Sequence, residues 1–144
     1  WGVNHVYGTG AVLPALAAAG EDMTASRARR AVEWLAAHQN SDGGWGERVE
    51  SYVDDAWIGR GPSTASQTAW ALLALLAADP AHPAVAGGVR YLADAQGADG
   101  AWQEEAYTGT GFPADFMIRY DTYRNVFPVT ALARWVAGSG EDAA

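Results

Sequence analysis

Trp34-Leu35-Ala36-Ala37-His38-Gln39-Asn40-Ser41-Asp42-Gly43-Gly44-Trp45-Gly46-Glu47 decides the fold of this chain. It returns as Tyr91-Leu92-Ala93-Asp94-Ala95-Gln96-Gly97-Ala98-Asp99-Gly100-Ala101-Trp102-Gln103-Glu104 at a constant offset of 57 residues (96 − 39). The Leu, Ala, Gln, Asp, Gly, Trp and Glu positions coincide. An Ala-Leu pair recurs at 15-16, 71-72 and 131-132, the same period to within a few residues. Self-similarity at this spacing marks a repeat of helix pairs.

Working outward, the pattern predicts helices near 9-19, 24-39, 64-78, 83-96 and 115-137. Thr64-Ala65-Ser66-Gln67 has the spacing of a capping box and opens a strong helix former that Asp79-Pro80 halts. The last helix is expected to break at Phe127-Pro128, since proline lacks a backbone donor and crowds the preceding turn. Segments 9-19, 64-78 and 129-137 are almost wholly Ala, Leu, Val and Trp and are expected to be buried on most sides. Those at 24-39 and 83-96 carry Arg, Glu, His and Asp on one face and read as an outer layer. Alternating inner and outer helices describe an all-α fold, a partial α/α barrel or toroid of about two and a half pairs. An incomplete ring should leave apolar edges exposed.

Composition narrows the function. At 144 residues the chain can bury roughly 70% of its unfolded surface. A net charge of -8, with no basic cluster beyond Arg27, Arg29 and Arg30, argues against nucleic acid and against an electrostatic grip on anionic lipid. The absence of Cys excludes disulfides and thiolate metal sites. The longest uncharged apolar run, Ala69 to Ala78, is half the length a bilayer span needs. The start at Trp1, with neither initiator Met nor signal peptide, is expected to reflect excision from something longer, and the Gly138 to Ala144 tail a natural frayed end.

Each Gln-x-x-Asp-Gly-x-Trp unit has a mechanical reading. Gln39 and Gln96 sit in a last helical turn, where the amide can bond free backbone groups. Asp42-Gly43 and Asp99-Gly100 reverse the chain, and Trp45 and Trp102 fold back over the helix end. The units are therefore read as structural staples rather than as a binding site. The doubled element resembles the Q-W repeat of triterpene cyclases.

Phe112, Phe116, Tyr120, Tyr123 and Phe127 follow at intervals of four, four, three and four, which puts them on one face if a single helix runs through them. Such a stripe packs as core or lines a cavity that presents ring faces to a cation, each worth about 0.5–2 kcal/mol. The run Tyr107-Thr108-Gly109-Thr110-Gly111-Phe112-Pro113-Ala114-Asp115-Phe116, with Tyr120, Tyr123, Arg124, Phe127 and Pro128, resembles the C-terminal end of squalene-hopene cyclases, and the likeness spans essentially all 144 residues. It implies that Phe112, Phe116, Tyr120 and Tyr123 stabilise the carbocations of a cyclisation cascade. It further implies that Trp1 lines the cavity and that Tyr7 lies near the acid that starts the reaction.

Other polar groups read as structural. The family's Asp-x-Asp-Asp acid is not found in this chain; Asp54-Asp55 reads as a solvated loop pair and Glu104-Glu105 as a solvated turn. His5, His38 and His82 share no metal-ligand spacing with carboxylates and are read as surface or satisfied core positions. No Gly-rich loop carries the Lys and Ser/Thr of a phosphate cradle.

Residues 1-144 are thus expected to be the C-terminal part of one α/α-barrel domain of a longer class II terpene cyclase. By the resemblance the intact enzyme is an isomerase or intramolecular transferase, and also a hydro-lyase, converting squalene or a related linear isoprenoid to hopene or hopanol. It needs no metal or organic cofactor, sits peripherally on the cytoplasmic side of a membrane, and leaves homodimerisation open. The chain alone, lacking the acid, is expected to be inactive. The rival reading is a free-standing hydrophobic module that binds isoprenoids or meets a complementary chain.

Overall fold

The computed structural model describes residues 2–112 and 115–141, so Trp1, among the expected cavity residues, and Pro113-Ala114 of the aromatic motif lie outside the described residues. Five helices carry the fold: α1 (Asn4–Ala18), α2 (Ser26–Ala37), α3 (Ala65–Ala78), α4 (Pro83–Ala95) and α5 (Tyr123–Glu141). A two-stranded antiparallel hairpin, β1 (Gly109–Phe112) and β2 (Asp115–Ile118), precedes α5, with Gly109 opposite Ile118 and Thr110 opposite Met117.

Helix α3 is the axis of the packing. Its Ala- and Leu-rich sequence buries every residue from Ala65 to Leu75, and α1, α2, α4 and α5 all pack on it. Its start follows the expected cap, with the Gln67 N–H donating to Thr64 Oγ1 at 3.2 Å, but only half of the capping box forms. The Gln67 amide instead pairs with the Glu47 backbone, accepting from its N–H and donating to its carbonyl, both at 3.0 Å. The helix stops at Asp79, where Pro80 drives the preceding residue out of helical geometry. Pro83 opens α4 at a position where its missing N–H costs nothing, and His82 Nδ1 accepts the Ala84 N–H.

The layers are as expected, with α1, α3 and α5 inner and α2 and α4 outer. The even burial expected of the inner helices is not: α1 buries only Val6, Gly10 and Leu13 and exposes Val12, while α5 exposes Val126, Val129 and Val136. Among the described residues all four other helices pack on α3, while the flanking α1 and α5 leave valines exposed.

Four element boundaries differ from the sequence reading, one of them the end of α5, which runs to Glu141, into the tail expected to fray from Gly138. Helix α1 begins at Asn4 rather than near residue 9, because its first turn is capped from across the chain, as described below. Pro128 does not interrupt α5. It forfeits one backbone bond, but Phe127, Ala131 and Leu132 pack into the core on either side and hold the helix together. The segment 115-118 is strand β2 and not helix. It pairs with β1 instead, Phe112 standing opposite Asp115, and Thr110 Oγ1 donates across the hairpin to the Asp115 carbonyl at 2.9 Å.

Candidate functional site

The two repeat turns are built alike. Gln39 Nε2 donates to the Gly43 carbonyl at 2.8 Å and to the Ala84 carbonyl at 2.9 Å, tying the end of α2 to the start of α4. Gln96 Nε2 makes the first of these bonds, to Gly100 O at 2.8 Å. Trp45 Nε1 donates to Leu35 O at 2.7 Å and Trp102 Nε1 to Leu92 O at 2.8 Å, so each indole closes the last turn of its own outer helix. Both rings are fully buried. Gly43 and Gly100 hold φ of 89° and 81°, which L side chains rarely adopt. The repeat also extends further than its sequence signature. The Trp45 N–H donates to Thr68 Oγ1 at 2.9 Å and the Trp102 N–H to Asn125 Oδ1 at 3.2 Å, positions again 57 apart (125 − 68).

The closing glutamates of the two units are the groups sequence reading missed. Glu47 is 4% exposed and accepts the Val6 N–H at 2.8 Å and the Asn4 N–H at 3.4 Å, with His5 Nδ1 3.0 Å away. It caps α1 from the loop after α2, where no local side chain does so. Glu104 is 8% exposed and does the same for α3, accepting the Ser66 N–H and Ser66 Oγ, both at 2.8 Å. The solvated turn expected at Glu104-Glu105 is therefore half wrong: Glu105 faces solvent but Glu104 is buried. The signal was available in the repeat, since Glu47 and Glu104 coincide in the alignment of the two copies.

The aromatic residues do not form one helical stripe. Phe112 and Phe116 lie on the two strands of the hairpin, 67% and 65% exposed, with ring centroids 6.4 Å apart in an edge-to-face arrangement. Phe116 takes a φ of 52°, a left-handed conformation that a bulky residue seldom adopts. Tyr120 precedes α5 and stacks on Tyr123 at 4.5 Å, and Tyr123 meets Phe127 edge-to-face at 5.0 Å. The helical spacing therefore holds only from Tyr123 to Phe127.

A residue outside the sequence-predicted set organises these rings. Trp70, at the middle of α3, touches Tyr7 of α1 at 4.9 Å, Phe127 at 5.5 Å and Tyr123 at 5.9 Å, all edge-to-face. Its indole N–H is buried and finds no hydrogen-bond acceptor among the described residues. Gly10 lets α1 come this close, because a Cβ there would lie 2.8 Å from the Trp70 carbonyl oxygen. Burial, and next the neighbouring Tyr120 and Tyr7, push the Tyr123 hydroxyl above its usual range. Of the expected cavity residues, Tyr7 and Tyr123 thus meet at Trp70, and Tyr120 joins them only through its stacking on Tyr123. The N-terminal segment is also tied to the hairpin by a Gly2–Gly109 bridge and by the Val3 N–H donating to Thr108 O at 2.9 Å.

The remaining polar candidates have local partners. Asp54 accepts the Ala56 N–H at 2.9 Å in an exposed loop, and Asp55 is exposed beside it. His38 Nδ1 lies 2.7 Å from Trp34 O. No cluster of three or more His, Asp or Glu that could hold a metal ion occurs among the described residues.

Known proteins supply an independent comparison. The family described as "Squalene-hopene cyclase C-terminal domain" matches residues 1–137. A probable squalene–hopene cyclase of Sinorhizobium fredii is 54% identical over 137 residues, covering 94% of this chain and 21% of that protein. The squalene–hopene cyclase of Alicyclobacillus acidocaldarius is 54% identical over 136 residues, with 94% and 22% covered. A dammaradiene synthase of Dryopteris crassirhizoma is 43% identical over 150 residues, with 94% and 22% covered. The chain spans about a fifth of the length of the relatives it matches. With its helix-pair layering and doubled glutamine–tryptophan turns, this chain belongs to the squalene-hopene cyclase family, in the region of that family's C-terminal domain.

Proposed function

We propose that this chain forms one wall of the cavity in a class II triterpene cyclase that converts squalene to hopene or hopanol by a protonation-initiated carbocation cascade. It would be the C-terminal part of one α/α-barrel domain. The observation that carries this reading is the Phe112–Phe116 pair, two exposed rings facing each other on a hairpin that leads into α5, whose Tyr123 and Phe127 meet Trp70. Large apolar rings displayed together in this way mark a surface that meets something apolar.

The chemistry calls for such a surface. Protonating an alkene needs a strong acid, and the cations that follow must be kept from water and from bases until the last ring closes. Aromatic faces stabilise a moving positive charge without capturing it, whereas a carboxylate or amine would trap or deprotonate it. Phe112, Phe116, Tyr120 and Tyr123 are assigned this role. Tyr7 is assigned a position near the initiating acid, and Trp1 is assigned to the cavity lining. The acid itself would come from a part of the longer enzyme that this chain does not contain, so the chain alone is inactive. A proton-initiated cascade requires no metal or organic cofactor. No helix among the described residues is long and apolar enough to cross a membrane. Since squalene dissolves in lipid, the enzyme is proposed to work at a membrane face, on its cytoplasmic side.

The test uses the longer cyclase with Phe116→Ala or Tyr120→Ala, supplied with squalene and analysed by gas chromatography and mass spectrometry. Loss of a cation contact of about 2 kcal/mol slows turnover by roughly 30-fold and diverts the cascade to incompletely cyclised products. Unaltered turnover and product distribution in both variants would sink the cation-stabilising role.

A further inference from the structure

We propose that Glu104 is a positioning residue: it sets the aromatic hairpin against helix α3 and thereby fixes where Phe112 and Phe116 stand in the cavity. The proposal rests on the cavity-wall reading of those two rings.

Glu104 does more than cap a helix. Its Oε2 accepts the Ser66 N–H at 2.8 Å, and its Oε1 accepts both Ser66 Oγ at 2.8 Å and Thr108 Oγ1 at 3.0 Å. Capping α3 needs only the Ser66 contacts; the Thr108 bond is additional. Thr108 is buried and immediately precedes β1. Its carbonyl accepts the Val3 N–H, the next residue bridges to Gly2, and two residues on Thr110 Oγ1 bonds across the hairpin. On the other side, Trp70 lies one turn beyond Ser66 on the same face of α3. A single buried carboxylate therefore joins the helix that holds the ring hub to the start of the hairpin whose two strands carry Phe112 and Phe116.

The first repeat lacks this link. Glu47 caps α1 in the same way, but Ser51, the counterpart of Thr108 at 57 residues (108 − 51), accepts from Asn4 Nδ2 instead. The extra bond occurs only where an aromatic hairpin follows. The chemistry requires a carboxylate, because two hydroxyls donate to one oxygen while an N–H donates to the other. Glutamine would put an NH₂ in place of one acceptor and could not satisfy both sides.

The test again uses the longer cyclase, with thermal unfolding and product analysis run in parallel on Glu104→Gln, Glu104→Asp, Thr108→Val, Ser66→Ala and Phe116→Ala. Thr108→Val is expected to lose about as much stability as Ser66→Ala, since each removes one hydroxyl from the same carboxylate oxygen, but to shift products toward incompletely cyclised hydrocarbons as Phe116→Ala does and lower turnover by up to about 100-fold. Ser66→Ala should lose comparable stability while keeping the parental product distribution. Glu104→Gln should show both defects and Glu104→Asp should recover part of each. If Glu104→Gln fails to fold, Thr108→Val decides alone. A parental product distribution in Thr108→Val, with an altered one in Phe116→Ala, overturns the positioning role and leaves the wall intact. A parental distribution in Phe116→Ala removes the wall reading and this proposal with it.

Discussion

Gly43→Ala and Gly100→Ala make equivalent changes in the two repeat turns, and the structure predicts unequal costs. Both positions have strongly positive φ, 89° and 81°, so an alanine at either is strained by about 1–2 kcal/mol. Their surroundings differ. A Cβ on Gly43 would sit 2.5 Å from the Gly87 carbonyl oxygen and 2.9 Å from its carbon, against backbone of α4 that has no side-chain freedom to give way. A Cβ on Gly100 meets nothing within 4 Å. Overpacking of this kind adds about 1–3 kcal/mol, so Gly43→Ala should cost about 2–5 kcal/mol in all. The entropy that alanine removes from the unfolded chain is common to both variants and cancels from the difference. Thermal unfolding of the longer cyclase carrying each change is the assay. At about 2–4 °C per kcal/mol for a domain of 150–250 residues, the two melting temperatures should separate by roughly 2–12 °C, with Gly43→Ala the lower. Equal losses, or a larger loss for Gly100→Ala, would refute the claim that the first turn is pinned against α4 while the second is free.

Trp45→Phe and Trp102→Phe each remove an indole N–H from a helix-end carbonyl and should lower stability by about 1–3 kcal/mol. Turnover per folded molecule should stay at the parental level; a fall there without a stability loss would refute the structural role of the turns. Tyr91 supplies a pH dependence. Burial first, then the charges of Asp42 and Glu104, push its hydroxyl from 10.0 up to about 12. The unfolded chain therefore loses this proton before the folded one does, so the contribution is fully present below pH 10 and is lost as pH rises through about 12. Urea midpoints measured from pH 9 upward should fall less steeply in Tyr91→Phe, and identical slopes would remove Tyr91 as the cause.

The repeat could be read from the sequence because its signals are local. Gln39 bonds Gly43 and Trp45 bonds Leu35 within one turn of chain, and the residues needed for such a turn stand next to one another. Helix α3 was legible for the same reason: a threonine cap, an Ala- and Leu-rich interior and a proline stop lie in one window. The order of inner and outer helices followed from which segments carry charge.

The tertiary structure decided what depends on partners far along the chain. Helix α1 begins at Asn4 because Glu47, more than forty residues away, caps it, and no window around Asn4 contains that carboxylate. Glu104 looked like half of a solvated acidic pair until α3 and the hairpin closed around it. The even spacing of Phe112, Phe116, Tyr120, Tyr123 and Phe127 fits one helix, yet the pairing of β1 with β2 and the cross-strand bond of Thr110 turn its first half into a hairpin. Trp70 reads as one more apolar residue in an apolar helix, and only the packing of α1 and α5 on α3 makes it the hub of the rings. Sequence by itself determined the helix-pair repeat, whose turns are held by bonds between neighbours. Which rings meet, and which carboxylates cap the helices, was decided by contacts that exist only once the helices have packed.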